Sequence, residues 1–238
     1  MKLFDVLCPS MVKLLPWALV LASGTVALAE PYVPPAGLGA PGRRESAGTR
    51  GCAFGNPANL IALMPTENIG LTAEPYPQFY WYMPLNQAEF VELTLAQVDA
   101  NGVESPFYTT RLDVSSDAGI VSFEVPESAD LPVLEAGDRY RWQVAAFCNP
   151  ANEVGDLQIE GWVEYQPPSQ GLSSVLALVS ESDQVSLYTQ NGYWFDAVDQ
   201  LATLQTMNPS DRRLPDRWAE LLSSVELDEI VNQPLTMP

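Results

Sequence analysis

The sequence predicts a mainly β protein, in which an antiparallel β-sandwich over residues 52–167 is followed by a small helical subdomain over residues 168–238. Apolar residues recur at every second position between residues 59 and 166, which is the period of half-buried strands. Clusters of Asp, Asn, Ser and Gly divide this region into about seven short strands, a spacing typical of a sandwich. After Pro167 and Pro168 the apolar period becomes that of a helix.

Residues 1–29 have the features of a cleavable export signal. Lys13 precedes an apolar run that ends in Ala27, Leu28 and Ala29, the small residues that signal peptidase accepts before a cut. The run is shorter than the roughly 20 residues that span a bilayer, so we expect no stable membrane insertion after cleavage. We therefore expect a periplasmic or secreted protein that begins at Glu30.

The chain is strongly acidic, with 30 Asp and Glu residues, 11 Lys and Arg residues and no His. Cleavage removes both lysines and Asp5, which leaves nine arginines against 29 acidic residues and a net charge near −20. Nucleic acids and anionic membranes attract proteins through clusters of Lys and Arg, so we exclude both as partners. The hydrophobic content of 47% predicts a folded protein with a sizeable core.

Two cysteines, Cys52 and Cys148, belong to the mature chain, because Cys8 lies in the leader. Thiols oxidise outside the cytoplasm, so we predict a Cys52–Cys148 disulfide. Closing a loop of about 100 residues stabilises a fold by up to ~4.7 kcal/mol on the chain-entropy model. The alternative is that both residues are buried free thiols.

Three strands of the sandwich region show the alternation most clearly. Their apolar positions are Phe79, Trp81 and Met83; Val91, Leu93 and Leu95; and Val121, Phe123 and Val125. The residues between them are mostly polar or amphipathic, so each strand is expected to bury one face.

The strand that ends at Cys148 carries the strongest local pattern. Leu134 and Gly137 lead into Tyr140 and Trp142, and this stretch resembles the corner and penultimate strand of fibronectin type III domains. The resemblance implies an immunoglobulin/fibronectin III-like sandwich, in which the hydroxyl of Tyr140 folds back onto the connecting loop. A final strand fits residues 157–165, and an antiparallel sheet of another topology is the alternative.

Three apolar stripes with helical period follow the sandwich. They consist of Leu172, Val175, Leu176 and Val179; of Trp194, Ala197, Val198, Leu201 and Leu204; and of Trp218, Leu221, Leu222 and Val225. Asn191-Gly192 and Asn208-Pro209 are stop signals, and Pro215 suits a first helical turn. The order from Tyr188 through Gly192 to Pro209 is similar to the signature of a tetratricopeptide repeat, which implies a helix pair that packs on neighbouring helices or on the sandwich.

The mature chain as a whole is similar to a family of exported cyanobacterial proteins, domain of unknown function family nine-two-eight. The resemblance rests on a combination of short stretches along nearly the whole chain: residues 41–44 and 49–52, 60–65 with 70–72, 79–84, 140–142, 161–162, 192–197 and 218–227. It implies export, but no activity and no catalytic residues.

The composition excludes several classes of enzyme. Ser-His-Asp and Cys-His enzymes need an imidazole, Ser-Lys and Schiff-base enzymes need a lysine, and the mature chain has neither. Two distant cysteines do not make a zinc site, and no glycine-rich phosphate loop is present. We therefore predict no catalytic residue, no metal ligand and no cofactor.

The arginines form groups that are candidate interaction sites. Residues 30–51 contain too much Pro and Gly for regular structure and are expected to form an extended arm that carries Arg43 and Arg44. Arg139 and Arg141, two positions apart, point to one face of a strand. These guanidinium groups are candidates to bind carboxylates of the arm or of a partner, whereas ordinary surface or interdomain ion pairs are the interpretation that we favour.

Tyr80 and Tyr82, together with Trp162 and Trp194, are candidates for a platform that binds a carbohydrate or a peptide. Packing in the core or between the two parts is the alternative for these rings.

The function that we expect is that of a non-enzymatic protein–protein interaction or scaffold module, whose partner is an unidentified envelope or secreted protein. The alternative is an envelope protein that binds glycans through its aromatic rings or hydrolyses them with two carboxylates.

Overall fold

A computed structural model describes residues 31–37, 39, 43–46, 59–65, 69–127, 133–149, 151 and 155–236. The strands in these ranges are β1 (Ile61–Ala62), β2 (Gly70–Thr72), β3 (Gln78–Met83), β4 (Phe90–Val98), β5 (Glu104–Leu112), β6 (Gly119–Glu124), β7 (Arg139–Phe147), β8 (Leu157–Tyr165) and β9 (Leu235–Thr236). The helices are α1 (Gln170–Leu176), α2 (Glu181–Gln190), α3 (Trp194–Met207), α4 (Arg213–Ser223) and the 3-10 helix η1 (Asp228–Ile230). The chain is thus mainly β with a helical C-terminal part, as the sequence predicts.

Two sheets form the β part. The first has the order β1-β3-β6-β9 and the second the order β2-β8-β7-β4-β5. Neighbouring strands are antiparallel except at two edges, where β2 pairs with β8 and β9 pairs with β6 in parallel. The sandwich is therefore antiparallel, as predicted, except at these two edges. The short strands β2 and β9 lie far along the chain from β8 and β6, the strands with which they pair.

The second sheet contains the predicted tyrosine corner. The Tyr140 ring is fully buried, and its hydroxyl oxygen accepts a hydrogen bond of 2.9 Å from the backbone N–H of Glu135, in the loop before β7. The expected fold-back of this hydroxyl is confirmed. On the next strand Gly161 lies opposite Trp142, and a Cβ there would come within 2.6 Å of Trp142 Cε2, so glycine leaves room for the buried indole.

The predicted one-sided burial of β3 is wrong. All of its residues after Gln78 are buried, on both faces of the strand. Phe79 stacks on Trp142 of the second sheet, whereas Tyr80 contacts Asp199 of α3. The helical part covers the face of the first sheet that was expected to meet solvent.

The helices begin and end near the predicted signals. Ser169 caps α1 directly after the Pro pair, α2 ends at Gln190 before Gly192, and α3 ends at Met207 before Asn208. Gly192 has a φ of 81°, a left-handed conformation that favours glycine. None of the helices in the described part of the chain is both long and apolar enough to cross a bilayer.

Buried residues of the sheets and of α3 and α4 form one continuous core. The N-terminal turn of α3 makes the polar links across it. The indole Nε1 of Trp194 donates a buried hydrogen bond of 2.8 Å to the carbonyl oxygen of Leu63. After α4 and η1 the chain returns to the first sheet, where β9 pairs with β6. Along the sequence, the helical part therefore lies between two strands of the sandwich, β8 and β9.

Candidate functional site

The arm is anchored by Arg44. Its buried guanidinium donates from Nη1 to the carbonyl oxygen of Val225 at 2.5 Å and from Nη2 to that of Glu226 at 3.0 Å. These carbonyls follow the end of α4, where the helix itself supplies no donors. Burial lowers the pKa of Arg44 below its ordinary value, although nearby carboxylates favour the charged form. Arg44 thus binds main-chain oxygens of its own chain.

Arg43 differs from its neighbour. Its side chain is exposed, and its carbonyl oxygen accepts a hydrogen bond of 2.9 Å from the backbone N–H of Glu160 in β8. The two adjacent arginines therefore have different roles. Arg44 forms hydrogen bonds through its side chain, whereas Arg43 forms one through its main-chain carbonyl.

Arg139 and Arg141 lie on one face of the second sheet, as predicted, and the partners found among the described residues belong to neighbouring strands. Arg139 Nε is 3.1 Å from a carboxylate oxygen of Glu164 in β8. Arg141 binds Glu104 of β5 at 2.5 Å and Glu160 of β8 at 3.2 Å. The Arg141–Glu104 contact raises the pKa of the arginine and lowers that of the glutamate. The contacts of both arginines are thus ordinary surface ion pairs, which is the interpretation favoured from the sequence, and the candidate contacts with the arm are not observed among the described residues.

The aromatic platform is also corrected. Tyr80 and Tyr82 are only 2% and 1% exposed, and Trp194 is fully buried. The hydroxyl of Tyr80 donates a hydrogen bond of 2.8 Å to Asp199 Oδ1, and burial raises the pKa of this tyrosine. Since all three rings are buried, packing is their role in the fold. Trp162 alone of the set is partly exposed, at a cleft of about 760 Å³.

The structure brings together an acidic group that the sequence did not identify. Five carboxylates line a pocket of about 360 Å³ beside α3: Glu74, Glu124, Glu127, Asp196 and Asp199. Both carboxylate oxygens of Asp196 accept from the backbone N–H of Ala73, at 2.9 and 3.1 Å. Burial raises the pKa of Asp196 to about 8, and it also raises that of Asp199. The pocket therefore holds a proton near neutral pH.

An exposed apolar surface lies on α1 and the turn after it. Val175 is 44% exposed and Leu178 is 86% exposed, although the sequence placed Val175 on a buried stripe. The stripe is interrupted because α1 ends at Leu176 after only seven residues. Leu172 packs against a small apolar cluster of Leu71, Ala73 and Tyr193. We call Val175 and Leu178 the α1 surface. Gly171 and the two serines of α1 are the sequence signal that this helix is short.

The fold and these sites define a mainly β protein with packed C-terminal helices, an acidic pocket and an internally bound arm. The described residues contain no group of three or more His, Cys, Asp or Glu side chains that could hold a metal ion. The chain belongs to the Domain of Unknown Function family DUF928, whose family model matches residues 45–235. A search of curated proteins found no match to this chain.

Replacing Arg44 with Gln should loosen the arm and destabilise the fold. The shorter amide loses the paired hydrogen bonds to Val225 and Glu226, and each charged hydrogen bond of this kind contributes roughly 1.5–3 kcal/mol. We expect a lower free energy of unfolding in urea and faster proteolysis of the arm. Arg43→Gln is the matched control, because its exposed side chain should change stability by less than about 0.5 kcal/mol. Equal protease resistance of both variants and the wild type would show that Arg44 does not hold the arm.

Asp196→Asn should weaken the pH dependence of stability. The carboxyl of Asp196 has a pKa of about 8 in the folded protein against 3.8 for the free side chain, so the folded state retains a proton that the unfolded state releases. The free energy of unfolding should therefore fall as the pH rises from 5 to 8, and the Asn variant should fall less. Asp211→Asn is the control, since Arg213 keeps the pKa of Asp211 at about 2 and this carboxyl stays ionised throughout. Urea unfolding at pH 5 and pH 8 measures both, and an unchanged slope for Asp196→Asn would contradict the assignment.

Proposed function

We propose that this protein acts outside the cytoplasm as a non-enzymatic module that binds another protein. The observation that supports the proposal is the α1 surface, on which Val175 and Leu178 are exposed three residues apart beside a helix that is only partly packed. Adjacent exposed apolar side chains are favourable to bury against a partner, whereas single exposed ones are common on any protein.

The charge of the chain indicates the chemistry of that partner. Glu181 and Asp183 occupy the first turn of α2, directly after the α1 surface. A partner that covers Leu178 would meet these carboxylates at the rim of the contact. We therefore propose an apolar patch bordered by Lys or Arg on an envelope or secreted protein, and neither nucleic acid nor an anionic membrane.

The alternative function, binding or hydrolysis of envelope glycans, has less support. Burial removes Tyr80, Tyr82 and Trp194 from the expected platform, so Trp162 is the one member of that set left to stack on a sugar. Hydrolysis would need the acidic pocket, where Asp196 and Asp199 already accept hydrogen bonds from Ala73 and Tyr80. These bonds tie both carboxylates to the fold.

Export and a disulfide are part of the same proposal. Cys148 follows the end of β7, and its backbone N–H donates a hydrogen bond of 2.8 Å to Asp156 Oδ2 across the β7–β8 connection. Cys52 lies outside the described residues, as does the predicted leader, so the Cys52–Cys148 pair stays a prediction. A crosslink at this position would fasten the segment after the arm to the end of the second sheet.

Replacing Val175 and Leu178 together with Ser should reduce partner binding at least tenfold. Both residues are exposed, so the double variant should keep the wild-type stability to within about 0.5 kcal/mol. The measurement is quantitative capture from an extracytoplasmic extract with immobilised protein, followed by mass spectrometry. Met207→Ser is the matched control, because Met207 is 70% exposed at the C-terminal end of another helix, α3. Equal capture by the double variant and the control would refute a role for the α1 surface.

Thiol titration should find no free thiol in the mature protein before reduction, whether native or unfolded. Reduction under denaturing conditions should release two thiols, from Cys52 and Cys148. The comparison also distinguishes the alternative, because two buried free thiols would react on unfolding without a reductant. That result would disprove the disulfide.

A further inference from the structure

The N-terminal end of the arm lies in a groove of the helical part. In residues 31–37 only Tyr32 is buried and Pro35 is partly buried, whereas the remaining residues are exposed. The Tyr32 ring meets Trp194 edge to face, with ring centroids 5.0 Å apart. The segment is therefore held by two side chains rather than by a continuous buried surface.

Three hydrogen bonds fix the position of this segment. The hydroxyl of Tyr32 donates to the carbonyl oxygen of Gly192 at 3.1 Å, and its backbone N–H donates to Ser224 Oγ at 3.3 Å. The backbone N–H of Val33 donates to the carbonyl oxygen of Thr189 at 3.0 Å. We call the site formed by Thr189, Gly192, Trp194 and Ser224 the arm groove.

Pro35 occupies the remaining part of the arm groove. A Cβ on Gly192 would lie 2.8 Å from Pro35 Cδ, so the proline ring is seated where any other residue would have a side chain. Tyr32 and Pro35 are three residues apart, which is one turn of a polyproline II helix, and Pro34-Pro35 favours that conformation. Two anchors on one side of an extended proline-containing segment, with main-chain hydrogen bonds between them, are how peptide-binding domains hold such ligands.

The arm groove does not bury the side chains between these two anchors. Val33 and Pro34 point outward, and the groove uses the main chain at Val33 instead of its side chain. A different polypeptide with Tyr and Pro at this spacing would make the same contacts. The chemistry of the ligand is thus an extended Tyr-x-x-Pro segment.

We propose that the arm groove is a peptide-binding site for extended Tyr-x-x-Pro segments of a partner protein, and that the chain's own arm occupies it until such a segment competes. Tethering gives the arm an effective concentration on the order of 1 mM, so it reduces the apparent affinity for a free peptide. The site is separate from the α1 surface, and loss of binding at one leaves the other intact.

Fluorescence anisotropy with a labelled peptide of the sequence of residues 31–37 tests the proposal on the full chain. Tyr32→Ala removes the main anchor of the arm, so this variant should bind the peptide at least tenfold more tightly than the wild type does. Pro35→Ala, whose side chain is only partly buried, is a second variant that should fold as the wild type and bind at least threefold more tightly. Val33→Ala is the matched control, since it alters an exposed side chain and should leave the affinity at the wild-type value.

A peptide with Ala in place of its tyrosine should not bind to any of these proteins. If neither arm variant binds the original peptide more tightly than the wild type does, the arm groove is not a peptide-binding site. Sedimentation of the same proteins identifies the competing occupant. A wild-type dimer that is lost in Tyr32→Ala would mean that arms exchange between two copies, and it would overturn the assignment to a partner protein.

Discussion

The attachment of α3 to both sheets is the constraint on which the rest of the structure depends. Three consecutive residues make it: Trp194 binds the carbonyl of Leu63, the Phe195 ring meets Phe79, and Asp196 accepts from Ala73. Burying a carboxyl group is costly unless it is neutral or hydrogen-bonded, and Asp196 has both remedies, a raised pKa and two short contacts to an N–H. The polar links orient the helix, and the apolar surface around them supplies the burial.

This attachment explains why the sites lie where they do. Asp199 of α3 binds Tyr80, and the aromatic rings of β3 belong to the core instead of forming a surface. The same helix presents Trp194 at its first turn, where Tyr32 of the arm packs on it. The helices therefore pack on the sheets, and the start of the arm packs on the helices. Each part contacts residues that the part beneath it holds in position.

The sequence predicted the parts of the structure that are determined locally. Turn and cap residues act over a few positions, so the strand of residues 157–165, the Tyr140 corner and the stop at Gly192 could all be recognised. The burial of Tyr80 could not, because a strand covered on its second face by a distant helix still contains alternating residue types. Parallel pairing of the three-residue β2 was equally hidden, since its partner β8 is about 90 residues away.

The charged residues show a similar limit. The spacing of Arg139 and Arg141 predicted a common face correctly, but identifying Glu104, Glu160 and Glu164 as their partners requires the order of the four strands β8, β7, β4 and β5. Arg44 was harder still. Its partners are main-chain carbonyls at the end of a helix, and nothing in a sequence distinguishes a carbonyl that needs a donor from one that has water.

Chain order separates the start of the arm from the groove that it occupies. Tyr32 and Arg44 precede the sandwich, yet their acceptors lie 160 to 192 residues later, at Gly192, Ser224, Val225 and Glu226. Contacts so distant in sequence bear the largest loop-closure cost, so we expect the segment around Tyr32 to dock late in folding. An element that docks last onto an otherwise complete core can also leave without unfolding it. The separation in sequence thus supports the proposal that the segment around Tyr32 exchanges while the Trp194 ring beneath it stays in place.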